Sequence, residues 1–301
     1  MKLPLKGIIP PLITPLVSDN ELDSQGLKNL IDHIITGGVH GVFILGTTGE
    51  AQSLSYSLRK EFIKEACRIV DKRIPVLVGI TDTSMEGSLD IARTASESGA
   101  DAVVLSAPYY LPITQSEMVE YLKKLVPQLP LPFMLYNMPS CTQFHMSEET
   151  VKKAYELGAI GIKDSSGDLS YLYSLMKTFK NSPDFSVITG TELFIPETMM
   201  FGGHGAVPGG AILFPEFFTA LFNASQNKNL EKITELRKKL FLIEENIYNV
   251  ASEPSKYIRT IKSALSIMGI CNDHVAMPFH KLPSEGQKEM EKNLKALNMN
   301  Y

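Results

Sequence analysis

The chain has 301 residues, 44% of them hydrophobic and 21% charged, which is enough apolar material for a large core and excludes a disordered, collagen-like or disulfide-stapled chain. The formal net charge is −4, with no long run of Lys or Arg, so the electrostatic footprint of nucleic-acid binding is missing and a small-molecule partner is expected. Cys67, Cys141 and Cys271 are odd in number and far apart, which fits neither a disulfide framework nor a Cys-x-x-Cys site and points to a reducing, cytoplasmic location.

Residues 1–7 place Lys2 and Lys6 around a very short apolar stretch without a signal-peptide core, and they are expected to be the mature start. Short β-rich runs bounded by Gly or Pro then recur at 8–14, 42–45, 76–80, 102–106, 133–136, 160–163, 185–189 and 205–208. Between them lie amphipathic stretches with helical spacing, such as Leu27, Leu30, Ile31, Ile34 and Ile35, or Phe62, Ile63, Ala66, Ile69 and Val70. Ser24, Ser116 and Ser147 are the expected caps of three of these helices. Residues 198–215 carry no charge, but their glycines and prolines break them up too heavily for a membrane span.

The strand runs are continuously apolar, as burial on both faces of a parallel sheet requires. Eight strand and helix units in about 225 residues fit a (β/α)₈ TIM barrel, whose usual size is roughly 250 residues. A doubly wound sheet is the rival that periodicity alone leaves open. The strand signal stops after Phe214, and 216–223, 230–249, 255–268 and 284–297 read as helices. We therefore expect a barrel over 1–225 and a C-terminal helical extension over 226–301 packed against it.

In such barrels the active site lies at the C-terminal ends of the strands. The polar residues there are Thr14, the run Gly46-Thr47-Thr48-Gly49-Glu50, Asp82, Tyr109-Tyr110, Tyr136-Asn137, Lys163-Asp164 and Gly190-Thr191-Glu192. Lys163 ends an apolar strand and shares its face with the small Gly161 and Ser165, which leaves room beside the amine. A nucleophilic lysine needs a partly desolvated pocket, because a free amine of pKa ~10.4 is almost wholly protonated at neutral pH. On position alone, the alternative is a lysine salt-bridged to Asp164 or Glu192. The run 46–50 suits a small anion site built of backbone N–H groups and two hydroxyls, or a turn that caps the next helix. Tyr136, Tyr109 and Tyr110 suit either proton relay or rim packing. The six histidines are scattered without ligand spacing, so no metal is expected. No Lys or Arg occurs between Lys180 and Lys228, so a phosphate bound after the last two strands has no cationic partner there.

Taken in order, Gly46-Thr47-Thr48-Gly49-Glu50, Pro108-Tyr109-Tyr110, Tyr136-Asn137-Met138-Pro139 and Gly161-Ile162-Lys163-Asp164 resemble the dihydrodipicolinate synthase/N-acetylneuraminate lyase family of pyruvate-dependent class I aldolases, from about residue 7 to 222. The resemblance implies that Thr47 and Thr48 hold a pyruvate carboxylate, Lys163 forms the Schiff base and Tyr136 moves protons. Tyr110 resembles a tyrosine that enters the site from a neighbouring subunit, which implies a homo-oligomer, either tetramer or dimer. Gly190 and Val207 match positions that line the pocket through their backbone. No cofactor is implied beyond the covalent bond to the substrate.

The sequence departs from the family at Cys141, where dihydrodipicolinate synthases carry an arginine that clamps a carboxylate bidentately, a role that no thiol fills. Lys124 or another distant cation would have to compensate. Gly190-Thr191-Glu192 matches the Tyr-Asp-Glu signature of N-acetylneuraminate lyases only in part. The implied activity is cleavage of a 2-oxo-3-deoxy sugar acid or related 4-hydroxy-2-oxo acid to pyruvate and an aldehyde, with Cys141 among the substrate-binding residues. The alternatives are 4-hydroxy-tetrahydrodipicolinate synthase, N-acetylneuraminate lyase, a sugar-acid dehydratase and a non-catalytic oxo-acid-binding protein.

Overall fold

Apolar runs of two to five residues, buried on both sides, alternate with amphipathic helices along the chain. The computed structural model describes residues 1–297 and 299. It opens with β1 (Gly7–Ile8), a small antiparallel hairpin of β2 (Leu16–Ser18) and β3 (Glu21–Leu22), and α1 (Ser24–Thr36). Then come β4 (Val42–Ile44), α2 (Tyr56–Val70), β5 (Val76–Gly79), α3 (Met85–Glu97), β6 (Ala102–Leu105) and α4 (Gln115–Leu125). β7 (Phe133–Asn137) leads through the one-turn α5 (Pro139–Thr142) into α6 (Glu148–Glu156), β8 (Gly161–Asp164) and α7 (Leu169–Thr178). β9 (Ser186–Thr189), α8 (Ile195–Met200), β10 (Gly205–Ala206) and α9 (Pro215–Gln226) complete the alternation. Beyond them lie α10 (Leu230–Asn246), α11 (Lys256–Ile267) and α12 (Ser284–Leu297).

Eight parallel strands neighbour one another in the order β4, β5, β6, β7, β8, β9, β10, β1. The ring closes where Pro11 bridges Phe43, with the Leu12 N–H donating to the Phe43 carbonyl at 2.8 Å and the Phe43 N–H to that of Pro10 at 3.0 Å. A doubly wound sheet would keep two free edges and reverse its strand order. The chain therefore folds as a (β/α)₈ barrel with a C-terminal helical part.

One apolar cluster, including Ile9, Phe43, Leu77, Val104, Met134 and Ile188, fills the barrel interior. A second lies between the strands and the outer helices and takes in Leu236, Ile243, Leu265 and Met290 from α10, α11 and α12. Each fully buried Leu or Ile in these clusters contributes about 1.5–3 kcal/mol. Among the described residues no helix is long and apolar enough to cross a membrane.

Several expected boundaries move. The first strand, expected over 8–14, pairs only at Gly7–Ile8 and again at the Pro11 bridge, because Pro10 and Pro11 lack the N–H that a continuous ladder needs. Val207 still donates its N–H to the Thr189 carbonyl at 2.8 Å, but Pro208 ends that strand. Ser147 caps α6 as expected, whereas Asp23 rather than Ser24 caps α1. For α4, Thr114 and Glu117 form a reciprocal capping box in place of Ser116.

Candidate active site

Side chains alternate across a strand, and in β8 Ile162 joins the outer core, so Gly161 and Lys163 point into the barrel. Lys163 is 6% exposed and stands in register with Tyr136 on β7 and Ile188 on β9. Its Nζ lies 4.0 Å from the centroid of the Tyr136 ring and 5.1 Å from that of Phe43, over the electron-rich faces of both. Among the described residues no carboxylate lies within 4.0 Å of it. Asp164 instead accepts from Asn137 Nδ2 at 2.8 Å and Ser166 Oγ at 2.9 Å. Glu192 accepts from the Tyr248 hydroxyl at 2.8 Å and the Gly210 N–H at 2.6 Å. The salt-bridge alternative for Lys163 thus falls. Gly190 abuts the lysine stem: a Cβ there would stand 1.9 Å from Ser165 Oγ and 3.1 Å from Lys163 Cε, so only glycine leaves that space.

The Tyr136 hydroxyl and Thr47 Oγ1 lie 3.3 Å apart. Thr47 sits in the turn after β4, where the Gly49 and Glu50 N–H groups are already given to the Gly46 and Thr47 carbonyls at 3.0 and 3.1 Å. Among the described residues no protein acceptor takes the Thr47 or Thr48 N–H, so the anion-binding capacity of the run narrows to these two residues. The run does not cap α2, whose cap is Ser55. Leu45 (φ 56°) and Glu50 (φ 55°) hold the turn in left-handed backbone, a cost the surrounding structure must impose.

The C-terminal part of the chain reaches this turn. Glu50 and Lys262 of α11 form an ion pair in which both side chains are wholly buried, while Glu50 Oε1 accepts the Ala276 N–H at 2.8 Å and Lys262 donates to the His274 carbonyl at 2.7 Å. Burial pushes the Glu50 carboxyl up and the Lys262 amine down in pKa, and each partner opposes the shift of the other. Lys262 escaped the sequence reading. Its signal was a lysine on the apolar stripe Ile258, Ile261, Leu265 of α11.

Above these residues the barrel mouth holds a cavity of about 300 Å³ whose wall includes Thr47, Ser106, Tyr109, Tyr136 and Cys141. Lys163 is not on that wall but behind the rings of Phe43 and Tyr136, which are. Thr48, which follows Thr47 in the chain, is half-buried and not on that wall, Gly190 lies against the Lys163 stem, and Val207 packs in the barrel interior. Tyr110 lies outside its own chain's cavity, 84% exposed and at φ 84°, next to the exposed Leu111. Among the described residues no Lys, Arg or His lines the cavity. Lys124 is in the last turn of α4, and barrel helices run back toward the N-terminal ends of the strands, so it does not serve the mouth. Asp82 is held below the usual carboxylate range: burial raises its pKa, but the Ser84 N–H, the Tyr56 hydroxyl and Arg59 outweigh burial.

A larger groove of about 830 Å³ opens at the other end of the barrel beside Lys6, Phe201 and His204 and contains none of the candidate residues. Among the described residues no group of three or more His, Cys, Asp or Glu is placed to hold a metal.

Residues 4–297 match the dihydrodipicolinate synthetase family. The chain is 30% identical over 297 residues, 97% of either chain, to YagE of Escherichia coli K12, which is provisionally named a 2-dehydro-3-deoxy-D-gluconate aldolase. The structure of YagE in complex with pyruvate superposes with a TM-score of 0.92 at 29% identity, covering 99% of this chain and 100% of that one. A dihydrodipicolinate synthase from Bacteroides thetaiotaomicron superposes with a TM-score of 0.96 at 47% identity, covering 98% of this chain and 100% of the other. Its near-complete span and its barrel make this chain a member of the dihydrodipicolinate synthetase family.

Proposed function

We propose that the chain is a Schiff-base aldolase that cleaves a 2-oxo-3-deoxy sugar acid, or a related 4-hydroxy-2-oxo acid, to pyruvate and an aldehyde. The observation that carries this reading is the placement of Lys163: buried, free of any carboxylate among the described residues, and 4.0 Å from the ring of a tyrosine whose hydroxyl meets Thr47. In the reaction the Lys163 amine attacks the C2 ketone and the carbinolamine loses water to give the imine. Tyr136 takes the proton of the C4 hydroxyl as the C3–C4 bond breaks, the aldehyde leaves, and the electron pair moves into the enamine. Protonation at C3 and hydrolysis free pyruvate and the lysine. Thr47 and Thr48 hold the carboxylate through N–H and hydroxyl groups.

The wall of the cavity supports a neutral, hydroxylated aldehyde half, since among the described residues it offers hydroxyls and an amide but no cation, with Cys141 where a guanidinium would be needed for a second carboxylate. The 47% identity to a named dihydrodipicolinate synthase favours a second reading, condensation of pyruvate with aspartate semialdehyde. A coupled assay for pyruvate release across 2-oxo-3-deoxy acids, run beside a condensation assay with aspartate semialdehyde, separates the two. Release from at least one such acid upholds the lyase, and condensation without release replaces it.

The exposed Tyr110 and Leu111 support an assembly, dimer or tetramer, in which Tyr110 completes the site of a neighbouring copy. We further propose that 226–301 form an extension whose Lys262 clamps the Thr47 turn, that the reaction needs no metal or cofactor, and that the enzyme works in the reducing cytoplasm, which suits its three free cysteines.

A further inference from the structure

We propose that Ser106, backed by Thr81, is the specificity-determining contact for a hydroxyl group on the aldehyde half of the substrate; this rests on the lyase reading of the site. Inward positions alternate along β6: Ala102 and Val104 belong to the barrel interior, and Ser106 continues their face at the mouth. Val104 is the register partner of Met134, so two residues further on Ser106 stands level with Tyr136, whose hydroxyl handles the proton of the bond being broken. Ser106 is 4% exposed and lies on the cavity wall, and no protein atom among the described residues bonds its Oγ. The Oγ is buried just behind that wall; a hydroxyl left there without a partner is costly, and a ligand hydroxyl that presses against the wall at Ser106 supplies one.

The neighbouring groups fix its direction. The Ser106 N–H donates to Thr81 Oγ1 at 2.9 Å, which holds the two hydroxyl-bearing residues together just past the ends of β6 and β5. Thr81, Gln52 and Tyr109 share the wall, so the subsite offers neutral donors and acceptors matched to alcohols and leaves a carboxylate without a charged partner. A pocket that hydrogen-bonds a substrate hydroxyl discriminates strongly against the analogue lacking it, because its own polar groups are then left unpaired.

The test measures retro-aldol kcat/KM on 2-oxo-3-deoxy-D-gluconate, whose leaving aldehyde carries hydroxyls, and on 4-hydroxy-2-oxopentanoate, whose leaving acetaldehyde carries none. Ser106→Ala is expected to lower the first value about 10-fold and leave the second within about twofold, while Ser106→Thr keeps the first within about threefold of the parent. Equal losses on both acids, or none on either, overturn the assignment. If the parent chain traps pyruvate on Lys163 but cleaves neither acid, the lyase reading fails. The subsite is then judged by calorimetric titration with D-gluconate: about 10-fold weaker binding to Ser106→Ala upholds it, and equal affinity or no binding overturns it.

Discussion

Lys262 on a helix outside the barrel and Glu50 at the end of the Thr47 turn form a wholly buried ion pair. The pair joins the C-terminal helices to the barrel mouth at the turn that carries the candidate carboxylate-binding residues. Removing one partner leaves an uncompensated buried charge, which costs about 3–5 kcal/mol. Lys262→Met is therefore expected to lower stability by about that amount in denaturant unfolding and to raise KM for the oxo acid more than it lowers kcat. Adding Glu50→Gln in the same chain is expected to recover much of the stability, and no recovery in the double variant would show that the pair does not act as a unit.

Tyr136→Phe deletes the hydroxyl 3.3 Å from Thr47 and leaves the ring beside Lys163. Loss of a positioned proton carrier is expected to lower kcat about 10²–10⁴-fold with little change in KM. Steady-state kinetics on a cleaved acid measures this, and a kcat within about threefold of the parent would remove Tyr136 from proton transfer.

Gly190→Ala would place a methyl 1.9 Å from Ser165 Oγ and 3.1 Å from Lys163 Cε. Overpacking of this kind costs about 1–3 kcal/mol and shifts the lysine stem. Thermal unfolding is expected to fall accordingly, and the rate of pyruvate trapping on Lys163 to fall with it. Unchanged trapping would show that the stem has room to spare.

Burial pushes the Glu192 carboxyl up to about 7, even though it accepts from Gly210 and Tyr248. With a folded pKa above the unfolded value of about 4.5, the native state holds this proton more tightly, so its contribution is present at low pH and is lost as pH rises from about 4.5 to 7. The full difference is about 3 kcal/mol as an order of magnitude. Denaturant unfolding of the parent and Glu192→Gln at several pH values is expected to show the variant gaining on the parent through that window. Parallel curves would refute it.

The barrel was legible from eight apolar runs spaced by amphipathic helices, since burial on both faces of a parallel strand leaves a plain compositional trace. Lys163 was legible as a candidate, because a lysine at the end of such a strand is out of place, but position alone left it balanced against a salt bridge. Only the engagement of Asp164 by Asn137 and Ser166, and of Glu192 by Tyr248 and Gly210, removed that alternative. The Lys262 contact spans more than two hundred residues of chain, and the free hydroxyl of Ser106 depends on what surrounds it. Neither property is carried by local sequence, nor was the β2–β3 hairpin, whose five strand residues are too short a run to stand out.

Every step proposed for the site depends on Lys163 being the Schiff-base residue. Incubating the intact protein with pyruvate and borohydride, followed by peptide mass spectrometry with Lys163→Ala as control, tests it most directly. A reduced pyruvyl adduct confined to Lys163 and absent from the variant is the predicted result; an unmodified Lys163, or an adduct that persists in Lys163→Ala, would contradict it.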